Sequence, residues 1–197
     1  MSIIFNETKN YCEELLSNSI CSNYQFHNLQ HTREVYRNAL LIADSENLTS
    51  EEKEILAISA LFHDTGYSQI YKGHELVSMH IAEEFLINIK YKRDRIDAVL
   101  NCIAATIMPQ KPKSILEKII CDADLAHLAA SNYLQRMEYL RKEWSSFLNL
   151  NFSNEEWMIS NVEFLRSHSY HSQFGKTVLE KSKLNNLRLL EESLAIK

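Results

Sequence analysis

Glycine and proline are scarce in this chain, with three glycines and two prolines among 197 residues, both well below average usage. So little turn chemistry leaves few places for the tight reversals of a β-rich fold and points to helices joined by a small number of breaks. Cysteine is sparse as well, and Cys12, Cys21, Cys102 and Cys121 form no CxxC pairing. No run of 18 apolar residues occurs, and the opening MSIIFNETKN lacks a basic segment followed by a long apolar stretch. A membrane partner and a secretory signal are therefore not expected, and a cytoplasmic protein with reduced thiols is. A basic excess is missing too. The formal net charge of −5 argues against extended nucleic-acid binding, which needs a basic face for the phosphates. A small anionic substrate remains compatible, because a bound divalent cation inverts the local potential.

What is present is a globular, helical pattern. A hydrophobic fraction of 45% over 197 residues is enough to bury a core without staples. Apolar residues recur at helical spacing over Phe5 to Leu16, from about Asn28 through HTREVYRNALLIADS, and over His74 to Ile89, Lys92 to Thr106 and Ser114 to Leu128,. TSEEKEILAISALFHD opens with Thr49 and Glu52 at capping-box spacing and ends at Gly66, and Ser153 with Glu156 repeats that start signal,. No linker rich in Gly, Pro or Ser and no internal repeat interrupts the chain. The expected architecture is all-α: one domain over residues 1–197, with a motif-bearing core at about 24–130 and a C-terminal helical extension over 131–197,.

The chemistry concentrates in that core. His63 and Asp64 close the apolar run ILAISALFHD, and Asp122 and Asp124 interrupt a second one, IICDADL. A carboxylate seldom sits in apolar surroundings unless it is paired or bound to a cation, because an isolated buried charge is strongly unfavourable. Two such runs in one chain make a shared divalent cation the economical explanation. Upstream, FHNLQHT sets His27 and His31 four residues apart, on one face if the segment is helical,. Asp122 and Asp124 lie about 200° apart around a helix, so only one of them points at an ion.

The order His, His-Asp, Asp over Phe26 to Leu128 resembles that of the HD-domain metal-dependent phosphohydrolase superfamily. The resemblance implies an HD-type helical bundle and a ligand set of His31, His63, Asp64 and Asp124. Asp124 is preferred to Asp122 because Ala123-Asp124-Leu125 matches the Ala/Cys-Asp-Leu/Arg context of the final ligand in related proteins. FHNLQHT is similar to the Tyr-His-Asn-x-x-His segment of cyclic-nucleotide phosphodiesterases, with Phe26 in place of the tyrosine, which implies that His27 protonates the leaving oxygen. YKGHELVSMHIAEEFL resembles the stretch in which Gly-His-Glu opens a helix, making His74 a further ligand, a phosphate contact or a proton donor, and Glu75 a carboxylate that orients a water or a histidine. His80 reads as a surface or core residue. Binuclear relatives carry further histidines where this chain has Thr106, Ile107 and Met108. One ion is therefore expected (Mn, Fe, Mg, Co, Ni or Zn), with Lys72, Lys111 or Lys113 assisting the phosphate.

The implied activity is metal-dependent hydrolysis of a phosphoester in a nucleotide or another small phosphorylated metabolite. The ion would polarise a phosphoryl oxygen and bring the pKa of bound water towards ~7. Asp64 would both ligate it and hold the water, and His27 or His74 would protonate the departing oxygen. The rival readings are a catalytically idle HD module that binds a nucleotide signal and a di-iron HD oxygenase. In the last third, Trp144 and Trp157 read as packing residues, and His168, Tyr170 and His171 as a polar loop or a wall of the substrate pocket.

Overall fold

A computed structural model describes residues 2–195. The described residues form α1 (Ile3–Ser17), α2 (Leu29–Ser45), α3 (Ser50–Phe62), α4 (His74–Asn88), α5 (Arg93–Ala105), α6 (Ile115–Asp124), α7 (Tyr133–Leu148), α8 (Asn154–Ser167) and α9 (Glu180–Ala195), and no strand occurs among them. The fold is all-α, and none of these helices is long and apolar enough to cross a membrane.

Helix α3 is the central element. Every residue from Ile55 to Phe62 is buried, and a helix that is apolar on all sides belongs inside a bundle. It begins with the capping box of Thr49 and Glu52 and packs against α1, α2, α4, α5 and α6. Leu61 and Phe62 join Phe5, Leu86 and Ile103 in one apolar cluster. Leu56 and Ala60 join Val35, Ile42, Ile119 and Ile120 in another. The C-terminal end of α3 is thereby fixed between α2 and α6, where the motif residues lie.

Helices α7 to α9 build a further cluster around Tyr133, Trp157, Leu165 and Leu190, which also holds Leu128. Asn186 of α9 donates to the carbonyls of Leu128 (2.8 Å) and Ala130 (3.0 Å). Phe147 of α7 meets Tyr24 edge-on at 4.5 Å.

Two helices stop earlier than their apolar periodicity suggests. The stretch expected to run to Leu128 leaves α geometry after Asp124 and tightens into a 3₁₀ turn over Leu125–Ala129. The His127 ring donates from Nδ1 to the Asp124 carbonyl at 3.1 Å, the acceptor that a continuing α-helix would use. Likewise α3 ends at Phe62 and Thr65–Ser68 is a 3₁₀ turn. The Thr65 hydroxyl donates to the Phe62 carbonyl (2.8 Å), and the Gly66 N–H turns to the Ser78 hydroxyl (2.8 Å).

Candidate metal centre and its cavity

Local backbone chemistry delivers each candidate ligand to one point. The Asn28 side chain accepts from the N–H groups of Gln30 (2.9 Å) and His31 (3.3 Å). Helix α2 therefore starts at Leu29, and His31 falls on its buried side,. His27 precedes this cap, so the two histidines do not share a helical face as their spacing suggests; their rings meet edge to face at 5.8 Å. His63 caps the end of α3 and donates from Nδ1 to the Ala60 carbonyl at 2.9 Å, which fixes its tautomer and leaves Nε2 for another partner,. Asp64 follows in the sparsely populated bridge region (φ −109°, ψ 7°),. Asp124 is the last residue of α6.

The atoms so placed converge. His31 Nε2 lies 3.4 Å from Asp64 Oδ2 and 3.3 Å from Asp124 Oδ1. His63 Nε2 lies 3.2 Å and 3.6 Å from the same two oxygens. Donors held about 2.1 Å from a shared tetrahedral ion stand about 3.4 Å apart, so the spacing suits a single divalent cation. His63 Nε2 and Asp64 Oδ2 are buried and have no hydrogen-bond partner among the described residues, a costly arrangement unless a ligand completes it. Among the described residues, His31, His63 and Asp124 meet the spacing of a group that can hold a metal ion, and Asp64 lies beside them. Burial by itself would raise the carboxyl pKa of Asp64 and Asp124, but the imidazoles outweigh it. His63 acts on Asp64, and His31 with His63 on Asp124, and both acids are held below the usual range. Burial disfavours the His63 cation, yet Asp64 and Asp124 raise its pKa well above the ordinary value.

Gly66 sets the approach of the next element. A Cβ there would stand 1.9 Å from the His74 carbonyl oxygen, so only glycine lets the turn press against the start of α4. His74 consequently reaches back, with Nε2 3.3 Å from Asp64 Oδ1 and Nδ1 donating to the Tyr71 carbonyl at 3.1 Å. Glu75 lies 3.6 Å from His74 Nδ1. The rings of His74 and His27 both stack on Tyr67, at 3.7 and 4.4 Å. His80 is an exposed residue beside Glu84.

A cavity of about 570 Å³ opens over the cluster, its polar end lined by His27, Asp64, His74, Glu75 and Asp124. Lys72 is the candidate lysine that reaches it. Leu140, Trp144, Leu148, Trp157 and Phe164 of α7 and α8 line the opposite, apolar end. The two tryptophans do pack together, edge to face at 5.5 Å, but they are also cavity wall.

Three features escape the sequence reading. Glu143 of α7, 1% exposed, accepts hydrogen bonds from the backbone N–H of Phe26 (2.8 Å) and His27 (3.0 Å), from His27 Nδ1 (2.5 Å) and from the Tyr71 hydroxyl (2.7 Å). His127 lines the same cavity; burial, then the neighbouring His31 and Arg136, push its pKa down to about 3. Asp122 faces away from the cluster, and its carboxylate accepts from His171 N–H (2.7 Å), Ser172 N–H (2.8 Å) and the Ser172 hydroxyl (2.6 Å). Gly175 closes this clasp, since a Cβ there would stand 2.2 Å from Asp122 Oδ2. His171 belongs to the clasp and His168 and Tyr170 lead into it; none of the three lines the cavity.

The chain resembles an uncharacterized protein of Clostridium beijerinckii, 38% identical over 76 residues that make up 37% of this chain. The match spans about half the length of that relative (48%). Among solved structures it is similar to a predicted HD superfamily hydrolase from an uncultured Thermotogales bacterium (TM-score 0.66, 17% identity, 97% of this chain and 91% of the other). It is equally similar to the Lin1889 protein of Listeria innocua (0.66, 17%, 98% and 97%). The third is YpgQ of Bacillus subtilis in complex with ADP (0.66, 15%, 96% and 94%). At such identities the likeness carries the fold alone. The HD domain model, by contrast, matches residues 28–129, from the cap of α2 past the last candidate ligand, and by that match over more than half of its length the chain belongs to the HD domain family.

Proposed function

We propose that the protein is a metal-dependent phosphohydrolase acting on a nucleotide or another small phosphorylated metabolite, working as a single HD-type domain with its C-terminal helices. One observation carries the reading: His63 Nε2 and Asp64 Oδ2, buried and without a hydrogen-bond partner among the described residues, lie beside His31 and Asp124 where Asp64 and Asp124 line a cavity large enough for such a substrate,. His31, His63, Asp64 and Asp124 would hold one divalent ion, which supplies Lewis-acid activation of a phosphoryl oxygen and of water.

The remaining roles fall to the chain's own groups. His74, tied to the Tyr71 carbonyl and close to Asp64, orients that carboxylate, with Glu75 behind it. Asp64 keeps Oδ1 on the His74 side and can hold an attacking water there. His27, next to the cluster but outside it, donates a proton to the departing oxygen. Lys72 at the rim favours an anionic group, and the apolar wall of α7 and α8 receives the body of the substrate. The bound ADP of YpgQ supports a nucleotide as that body.

The test is reconstitution of metal-stripped protein with Mn, Mg, Fe, Co, Ni or Zn, followed by a screen of nucleotides and sugar phosphates with metal analysis of each preparation. One ion per chain with phosphate release is the expected result. Two irons with oxygen uptake, or nucleotide binding with neither metal nor turnover, would replace the reading by an oxygenase or by an idle binding module.

A further inference from the structure

Glu143 lies outside the segment that the HD domain model matches, on a helix more than a hundred residues from the FHN segment it holds. Its carboxylate is buried and takes four donors: two backbone N–H groups that fix the chain at Phe26 and His27, the Tyr71 hydroxyl, and the His27 ring. A carboxylate only accepts, so the nitrogen facing it at 2.5 Å carries a proton,. With Nδ1 committed in this way and the ring stacked on Tyr67, Nε2 is the nitrogen left to meet a ligand in the cavity. The four bonds leave the imidazole neither a free tautomer nor a free orientation.

We propose that Glu143 is a positioning residue for His27, so that the C-terminal helix α7 completes the active site that the family segment begins. The proposal rests on the phosphohydrolase reading for its consequence: the proton on His27 Nε2 passes to the leaving oxygen as the phosphorus–oxygen bond breaks, and the imidazole left behind keeps its other proton on Nδ1, on Glu143. Second partners of this kind fix the tautomer and the aim of a working histidine.

Glu143→Gln keeps the volume and removes the charge. It should leave metal content and KM within a few-fold of wild type and lower kcat by about 10²-fold or more on a phosphoester with a poor leaving group. On p-nitrophenyl phosphate, whose leaving group departs with little protonation, the loss should be only a few-fold. His27→Ala should show the same pattern, and the double variant should be no slower than His27→Ala alone. Equal losses on both substrates, or additive losses in the double variant, would make Glu143 a structural residue and overturn the proposal. Ring 15N NMR of the wild-type holoprotein decides the geometry without turnover: a protonated Nδ1 on His27 that is lost in Glu143→Gln supports it, and an unprotonated Nδ1 in wild type overturns it. A protein that hydrolyses no phosphoester with any metal, yet shows the expected NMR result, would fail the functional reading and keep the Glu143–His27 pairing.

Discussion

The two ends of one stretch of α6 carry aspartates two residues apart that the fold treats in opposite ways. Asp124 meets two histidines, and the neighbouring His63 Nε2 and Asp64 Oδ2 have no hydrogen-bond partner among the described residues. Asp122 is saturated, with two backbone N–H groups and a hydroxyl on its carboxylate. His31, His63 and Asp64 are buried, as Asp122 is, so burial does not tell ligand from scaffold. Saturation does. A carboxylate whose acceptor sites are filled by N–H and O–H groups is holding the chain together, and one whose neighbours remain unsatisfied is arranged for something the chain does not supply.

The comparison breaks most visibly if the unsaturated side is emptied. His63→Ala and Asp64→Ala should each abolish metal retention and phosphohydrolase activity while circular dichroism stays helical, because the apolar faces of α1 to α6 do not depend on these side chains. Full activity with stoichiometric metal in either variant would place the centre elsewhere.

The unsaturated side was legible from sequence because its signal is local: polar residues ending apolar runs, in an order that resembles a known superfamily. The helices were legible for the same reason, and both capping boxes, Thr49 with Glu52 and Ser153 with Glu156, are formed. What was not legible depends on distant approach. Glu143 sits in RKEW, which reads as a solvated face; only the apolar residues at Leu140 and Phe147, one turn to either side, hint that it points inward,. The clasp on Asp122 joins residues some fifty positions apart, beyond any helical period. The early stop of α6 comes where a ring nitrogen of His127 takes the Asp124 carbonyl.

A smaller but sharper difference should separate the two aspartates themselves. Asp124→Asn should lose most of the metal affinity, since a neutral amide replaces an anionic ligand. Asp122→Asn should change metal affinity by less than about tenfold and instead lower stability by about 1–3 kcal/mol, the usual effect of leaving buried donors without their acceptor. Metal titration and urea unfolding of the two variants, side by side, check this. Metal loss in Asp122→Asn with unchanged stability would show that saturation is a poor guide.

The smallest expected effect lies in the clasp region, at His168. Both of its ring nitrogens are buried without a hydrogen-bond partner among the described residues. Burial first, and then the charges of Lys183 and His171, push its pKa down to about 4, against about 6.5 for an unperturbed histidine. The unfolded chain therefore binds a proton at a pH where the folded chain does not, so stability is full above about pH 6.5 and falls as the pH drops towards 4. His168→Leu removes that proton from the balance. Between pH 7.5 and pH 5 the wild type should lose about 1–2 kcal/mol more unfolding free energy than the variant. A gap between the two that stays constant over this range would mean that His168 finds a partner or water in solution, and that this part of the clasp is as saturated as Asp122.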